Sequence, residues 1–258
     1  MTPDRRRALR LLAAASLVIA TAASSWAQSG PVGEPAGEWR QQTYLIPLPH
    51  DGDRGMHTLV LRPPGDGKRP LVVINHGSPA DPSQRPSMKP GFRTAAMWFL
   101  KRGFVVALPM RRGYGETGGS WAEEYGKCGS PDYRRAGLET AKDIATAVDY
   151  MTALPFVEPQ RAIVVGQSAG GWGSIALASL NPPKVAAIVN FAGGRGGYAD
   201  NRPNNNCTPD RLVQAASEYG RTARLPMLWL YTENDLFFNP TLSRRMAEAF
   251  TAAGGKAD

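Results

Sequence analysis

The sequence is poor in histidine, and that scarcity limits its chemistry. Its 258 residues contain three histidines, His50, His57 and His76. No cysteines or carboxylates accompany His50 and His57 at the spacing of a zinc site. We therefore expect neither a metal ion nor another cofactor. No histidine follows His76. A nucleophile later in the chain therefore has no histidine near it in the sequence to act as its base.

Long apolar runs are also absent, which argues against a membrane anchor. A spanning helix needs roughly 20 apolar residues, and the longest candidate, residues 11–23, is shorter. It follows four arginines at positions 5–10 and precedes Ser25-Trp26-Ala27, an arrangement typical of a signal peptide cleaved before Gln28. We expect residues 1–27 to be removed on export to the periplasm or the medium. A membrane anchor is the alternative, and the paired arginines leave a twin-arginine route open.

Concentrated positive charge is missing as well. The net charge is +8, and removing residues 1–27 takes away four arginines and one aspartate, which lowers it to +5. Lysine and arginine are scattered, with no run of five or more, so we expect no nucleic-acid partner. Cysteine is limited to Cys128 and Cys207. In an exported chain this pair suggests one disulfide, with two free thiols as the alternative.

Beyond residue 27 the sequence predicts one α/β domain over residues 39–258, behind a flexible leader. Residues 28–38 are rich in Gly, Pro, Ser and Glu, which suits a flexible segment. Strand-like and helix-like segments then alternate, which indicates a mostly parallel central sheet with helices on both faces. The predicted strands are 39–47, 56–62, 71–75, 104–108, 162–165, 185–191 and 226–231, and the predicted helices are 92–102, 133–154, 171–180, 212–219 and 242–253.

The most informative stretch is Gly166-Gln167-Ser168-Ala169-Gly170, which lies between a predicted strand and a predicted helix. In that context G-x-S-x-G predicts a nucleophile elbow, a strained turn that exposes the serine hydroxyl. Gly166 and Gly170 let strand and helix approach closely, and the helix N-terminus favours developing negative charge at Ser168. A chance match in a loop is the alternative.

A second motif, Asn75-His76-Gly77-Ser78, directly follows a predicted buried strand. Acyl transfer needs two N–H donors for the oxyanion, one after the nucleophile and one from such a loop. We expect these donors to be Ala169 N–H and Ser78 N–H, with Gly77 permitting the close approach. His76 could serve as the base, but we expect it to hold the loop by hydrogen bonding.

A third element is an acid just past a late strand. Asp235 is our candidate for the carboxylate that orients the histidine of a serine triad, and Glu233 is the reserve. A simple turn or helix-capping aspartate is the alternative. Gly193–Gly197 reads as a pocket-rim loop rather than a phosphate cradle, since it lacks the P-loop residues. The aromatic side chains of Trp121, Tyr125, Trp172 and Tyr198 either line a pocket or pack in the core.

These elements together resemble the α/β-hydrolase superfamily, specifically its secreted dienelactone-hydrolase-like and prolyl-oligopeptidase-like serine branch. The segment Arg112-Gly-Tyr-Gly-Glu-Thr-Gly-Gly119 is similar to that family's loop at this place. The resemblance implies an α/β-hydrolase fold in which the loops of Cys128 and Cys207 lie over the same face as Ser168, so that a bridge would join two pocket-rim loops. Dienelactone hydrolases proper use a cysteine nucleophile, so Ser168 argues against taking the substrate from that name.

One departure concerns the catalytic base. The family order is nucleophile, acid, then a histidine on a loop after one more strand. Here residues 254–258 end the sequence where that strand should begin. We expect the domain to be truncated, with its last strand and helix missing, the base beyond residue 258, the edge of strand 226–231 unpaired and the chain as given inactive.

The leading functional hypothesis is an exported serine carboxylesterase that cleaves a small-molecule ester through an acyl-enzyme on Ser168. A serine peptidase of the same fold is the close alternative. From another class, a binding protein that kept the fold and lost the histidine base would explain the same sequence.

Overall fold

A central sheet organises the molecule in a computed structural model that describes residues 29–51 and 54–258. The predicted signal peptide, residues 1–27, lies outside the described residues. The described part of the chain forms one eight-stranded sheet in the spatial order β1-β2-β3-β5-β4-β6-β7-β8. The strands are β1 Gly30–Ala36, β2 Gln41–Pro47, β3 Gly55–Leu61, β4 Leu71–Asn75, β5 Val105–Pro109, β6 Ala162–Gln167, β7 Val185–Phe191 and β8 Met227–Leu230.

The pairing of neighbouring strands changes once across this sheet, from antiparallel to parallel. The pairs β1–β2, β2–β3 and β3–β5 are antiparallel, whereas β5, β4, β6, β7 and β8 pair in parallel. The buried parallel strands read as continuous apolar runs because both of their faces are covered. A mostly parallel sheet with helices confirms the predicted fold class.

Helices cover both faces of the sheet. Alternate residues of the central strand β4 point to opposite faces, and they pack into two different apolar clusters. Leu71 and Val73 of β4 belong to one apolar cluster, while Val72 and Ile74 belong to another. The first cluster contains residues of four helices, α2 Tyr133–Thr152, α3 Ala169–Leu180, α4 Pro209–Gly220 and α5 Pro240–Ala252, and the second contains residues of α1 Arg93–Leu100. No helix among residues 29–51 and 54–258 is long and apolar enough to cross a membrane.

The segment predicted as a flexible leader is instead an edge strand, and that prediction was wrong. β1 pairs antiparallel with β2, placing Gly30 opposite Leu45 and Val32 opposite Thr43. Every residue of β1 except Gly30 is exposed, so the strand is held by its backbone rather than by apolar side chains. Proline is tolerated at a sheet edge because its missing N–H faces solvent, and the Pro/Gly composition therefore concealed the strand.

The opposite edge of the sheet, along β8, is also covered in part. Residues 256–258 run parallel to it: Met227 N–H donates to Lys256 O over 3.1 Å, Asp258 N–H to Met227 O over 3.0 Å, and Trp229 N–H to Asp258 O over 2.8 Å. The expectation of an unpaired edge at this strand was therefore wrong along Met227–Trp229. Parallel backbone pairing thus extends past β8 over residues 256–258.

Candidate active site

Ser168 occupies the turn between β6 and α3 in a conformation that few L-residues adopt. Its φ is 52° and its ψ is −118°, and such a backbone costs about 1–3 kcal/mol unless its surroundings hold it. The surroundings do so: Ser168 N–H donates to Phe191 O of β7 over 2.9 Å, and Ser168 O accepts from Trp172 N–H over 2.9 Å. The turn is therefore fixed from the neighbouring strand and from the helix that follows.

Glycine is required on both sides of this serine because three backbones meet there. A Cβ placed on Gly166 would overlap the carbonyl of Gly170, and one placed on Gly170 would stand 2.5 Å from Asn75 O. Strand β6, helix α3 and the end of β4 thus touch at the two glycines of the G-x-S-x-G motif. This contact brings the loop after β4 to the nucleophile.

Two backbone N–H groups beside Ser168 are the candidate oxyanion donors. Ser78 and Ala169 line the same cavity as Ser168. Ala169 opens helix α3, where the first N–H groups have no carbonyl to bond within their own helix. Ser78 N–H donates no hydrogen bond to any residue in the described ranges. Both groups can therefore bond an oxygen that develops negative charge at the serine.

His76 is buried in this loop with both ring nitrogens engaged. Arg111 N–H, which can only donate, lies 3.2 Å from Nε2, so Nε2 accepts and Nδ1–H donates to Gly77 O over 2.7 Å. Burial, with a further contribution from the Arg111 guanidinium, lowers the pKa of His76 from 6.5 to about 3. His76 is therefore a neutral side chain that shapes the oxyanion loop and has no nitrogen left to act as a base.

Neither remaining histidine supplies a base to Ser168. His50 Nε2 lies 3.0 Å from Asp143 Oδ1, and His57 Nδ1 lies 3.2 Å from Glu116 Oε2. These pairs fasten the end of the β2–β3 hairpin to other elements. Neither side chain lines the cavity at Ser168, so among the described residues neither of these imidazoles serves that hydroxyl.

A buried ionic network lies under the oxyanion loop. The guanidinium groups of Arg111 and Arg195 both donate to the Glu123 carboxylate, and Tyr114 OH donates to its Oε2 over 3.0 Å. The two guanidinium groups outweigh burial and hold the pKa of Glu123 well below its usual range. Arg111 also donates from Nη1 to His76 O over 2.8 Å. The network thus anchors the loop that carries Gly77 and Ser78.

The cavity at Ser168 is small and partly aromatic, with a volume of about 120 Å³. Trp121 and Tyr125 line it, as do residues 194–197 of the predicted pocket-rim loop. The other two aromatic candidates do not line it: Trp172 is fully buried and donates from Nε1 to Tyr133 O, and Tyr198 stacks on Phe237 with ring centroids 4.9 Å apart. Arg85 and Arg195 add two guanidinium groups to the lining.

A disulfide joins two loops at the rim, which confirms the predicted pairing of Cys128 with Cys207. Cys207 N–H donates to Gly196 O over 2.8 Å, and Thr208 Oγ1 donates to Cys128 O over 2.7 Å. Gly196 lines the cavity. The crosslink therefore holds one wall of the cavity to the loop before α2.

The two acid candidates differ in position. Asp235 is half-buried, and its Oδ1 accepts from Phe237 N–H over 2.7 Å and from Phe238 N–H over 3.0 Å. Both phenylalanines line the Ser168 cavity, so Asp235 stands at its edge. Glu233 is exposed and lines a separate groove between β8 and α5. Position thus favours Asp235.

Comparison with known proteins shows which families this chain is similar to. The profile of the prolyl oligopeptidase family matches residues 90–193, which include the elbow. A dipeptidyl-peptidase 5 from Porphyromonas gingivalis is 32% identical over 145 residues, 55% of this chain and 20% of that protein. The chain thus spans a fifth of the length of that relative.

Solved structures show the same fold. Acylaminoacyl peptidase of Pyrococcus horikoshii superposes with a TM-score of 0.61 and 14% identity, over 86% of this chain and 36% of that one. Acetyl xylan esterase from Paenibacillus sp. R4 superposes with a TM-score of 0.58 and 16% identity, over 90% of this chain and 80% of that one.

The chain has the α/β-hydrolase fold, and its residues 90–193 are similar to the prolyl oligopeptidase family. Sequence analysis predicts the elbow, the H-G loop and the late acid. It missed Arg85, Glu123 and Arg195, whose spacing matches no motif. The only available signal was that Arg195 interrupts a run of glycines.

Proposed function

We propose that the protein is a carboxylesterase-type serine hydrolase. Ser168 Oγ gives its proton to the base and attacks the ester carbonyl, while Ala169 N–H and Ser78 N–H hold the oxyanion. The ester C–O bond then breaks and the alcohol leaves with that proton, after which water attacks the acyl group and releases it from Ser168 as the acid. Asp235 orients the histidine that relays the proton. The observation that carries this proposal is the strained backbone of Ser168 at the N-terminus of α3, beside two N–H groups with no partner in the described chain.

We further propose that the base is a histidine outside residues 1–258. His76 is neutral with both nitrogens bonded, and His50 and His57 are paired elsewhere. The parallel pairing of residues 256–258 with β8 supports the idea. A strand at that position would be parallel to β6. A loop that left its carboxyl end would therefore emerge at the same end of the sheet as Ser168.

The charge of the cavity supports an ester over a peptide with a free amino terminus. A dipeptidyl peptidase binds a substrate α-ammonium group, which needs carboxylates or carbonyls around it. This cavity is lined by Arg85 and Arg195 and by no carboxylate among the described residues. The nearby Glu123 is already bonded to two guanidinium groups. An ammonium group would therefore be repelled.

A peptidase of the same fold is the second candidate. It is supported by the prolyl oligopeptidase profile over residues 90–193 and by the similarity to a dipeptidyl peptidase. An ester and a nitroanilide with the same acyl group separate the two proposals. With imidazole added as the base, we expect turnover of 4-nitrophenyl butyrate and none above background of the matched butyryl nitroanilide or of a dipeptidyl nitroanilide.

The test of the proposed function is imidazole-assisted hydrolysis by the 258-residue chain, with S168A as the reference. We expect little turnover of 4-nitrophenyl butyrate by the chain alone. Added imidazole should give an ester-saturable rate at least about tenfold above that of S168A, because a diffusible base replaces the missing one. Equal rates for the chain and S168A would contradict the proposal and favour a non-catalytic binding protein.

Export is proposed on the strength of the disulfide. Cys128 and Cys207 form a crosslink, and such bonds persist in oxidising compartments such as the periplasm or the extracellular medium. Cell fractionation with mass determination of the mature chain tests this. Mature protein that begins at Gln28 outside the cytoplasm is expected, and unprocessed protein in the cytoplasm would contradict it.

A further inference from the structure

The buried groups beside Ser168 carry more positive than negative charge. Arg111, Glu123 and Arg195 are 0%, 0% and 3% exposed, respectively. Two guanidinium groups therefore share one carboxylate, which leaves one buried positive charge unmatched. The other partners in the network, Tyr114 and Thr140, are neutral hydroxyls. Of the two arginines, Arg195 lines the Ser168 cavity and Arg111 does not.

Arg85 adds a second cation to the same lining. Its guanidinium stacks on the ring of Trp121, with 3.4 Å between Cζ and the ring centroid, and it forms no ion pair with any described residue. Burial lowers the pKa of Arg85 below its usual value. The Nε atoms of Arg85 and Arg195 are both buried, and neither has a hydrogen-bond partner among the described residues.

Such an arrangement is costly without an anion. An unmatched buried charge costs several kcal/mol, and a buried N–H without a partner adds to that cost. A carboxylate is well suited to offset both because its two oxygens match the planar fork of a guanidinium group. An ammonium or a purely apolar group would leave both costs in place.

We propose that the Ser168 cavity binds esters that carry a free carboxylate, which Arg85 and Arg195 hold while Ser168 faces the ester carbonyl. This inference rests on the proposed esterase function and names its substrate class. Because Ser168, Arg85 and Arg195 line one cavity, the carboxylate should lie close to the ester, as in the monoester of a short dicarboxylic acid.

Binding to the S168A variant of the 258-residue chain tests the inference without any turnover. Calorimetric titration compares monomethyl succinate, dimethyl succinate and inorganic phosphate. We expect the monoester to bind at least about tenfold more tightly than the diester. The difference corresponds to the charge-assisted hydrogen bonds that its carboxylate makes with a guanidinium group. Equal affinity for the two esters, or tighter binding of phosphate than of the monoester, would overturn the inference.

Two variants assign the binding to the arginines. Arg85→Gln removes a cation that has no ion pair, so the fold should be retained and the monoester should bind about tenfold more weakly. Arg102→Gln is the matched control, because Arg102 also stacks on a tryptophan, with Cζ 3.6 Å from the ring centroid of Trp98, but lies at the end of α1. Equal losses in both variants, or none in Arg85→Gln, would refute the assignment.

Arg195→Met provides an independent check. It leaves one buried cation, Arg111, paired with one buried anion, Glu123. We therefore expect a folded protein that has lost its preference for the monoester over the diester. Retained preference in folded Arg195→Met would remove Arg195 from the proposal. Because these readouts measure binding, they separate failure of the substrate class from failure of hydrolysis, which the imidazole experiment measures.

Discussion

The backbone of Gly77 lies directly against the side chain of Ser168. A Cβ added to Gly77 would stand 3.0 Å from Ser168 Cβ and 2.5 Å from Gln167 Oε1. The contact couples the loop that carries the proposed oxyanion donor Ser78 to the proposed nucleophile Ser168, so that a shift of one moves the other.

Gly77→Ala should therefore reduce ester hydrolysis while leaving the fold intact. The added methyl group displaces the loop by a few tenths of an ångström, and we expect imidazole-assisted kcat/KM to fall about 10- to 100-fold. Gly67→Ala is the control, since a Cβ there meets no atom within 4 Å. Equal kinetics for the two variants would show that the loop position is unimportant.

Ser168→Gly should be more stable than Ser168→Ala. Alanine keeps the strained backbone of Ser168, whereas glycine accepts φ 52° and removes a cost of about 1–3 kcal/mol. Glycine also loses about 0.5–1 kcal/mol through its greater unfolded-state entropy, so a net difference of about 1 kcal/mol is expected. Urea unfolding of both variants measures it. A less stable glycine variant would argue against strain at the elbow.

Stability should fall with acidification partly because of His76. Its pKa is lowered from 6.5 to about 3, so below pH 6.5 the unfolded state takes up a proton that the folded state does not. This contribution is complete above 6.5 and is lost as the pH falls towards 3, at up to about 1.4 kcal/mol per pH unit.

His76→Phe isolates this contribution. The variant retains an aromatic ring against Tyr114, whose centroid lies 4.6 Å from that of His76, but it has no titrating group. Urea unfolding between pH 6.5 and pH 4.5 should show a shallower slope for the variant than for the parent chain. Identical slopes would mean that His76 is already protonated in the folded protein.

Reduction of the disulfide should lower both stability and activity. Cys128 and Cys207 enclose a segment with a sequence separation of 79, and loss of such a bridge costs about 2–4 kcal/mol. Activity should fall as well because Cys207 bonds Gly196 at the cavity wall. Urea midpoints with and without reductant measure the effect. The Cys128→Ser/Cys207→Ser double variant is the control and should not respond to reductant.

The sequence predicted those parts of the fold that local pattern determines. Strands β4 to β8 were predicted from short apolar runs that alternate with helix-like segments, and α2 was predicted from apolar residues at helical spacing. The elbow was predicted from the two glycines around Ser168. β1 was missed because an exposed edge strand carries almost no apolar signal. Its evidence lies in backbone pairing with β2, which depends on residues distant in sequence.

The cavity could be predicted only in part, for a related reason. Ser78, Ala169 and Asp235 stand next to recognisable strands, so each could be placed one at a time. Glu123 and Arg195 meet across 72 positions, and neither belongs to a motif. The excess of positive charge around Glu123 can be recognised only when the burial of these residues and their hydrogen-bond partners are both known.

The most direct test of the account is covalent labelling of the folded 258-residue chain by a fluorophosphonate, mapped by mass spectrometry. We predict one adduct, on Ser168, formed faster when imidazole is present and absent from S168A. A folded chain that stays unlabelled with imidazole, or one labelled at another residue equally in S168A, would contradict the assignment of Ser168 as the nucleophile.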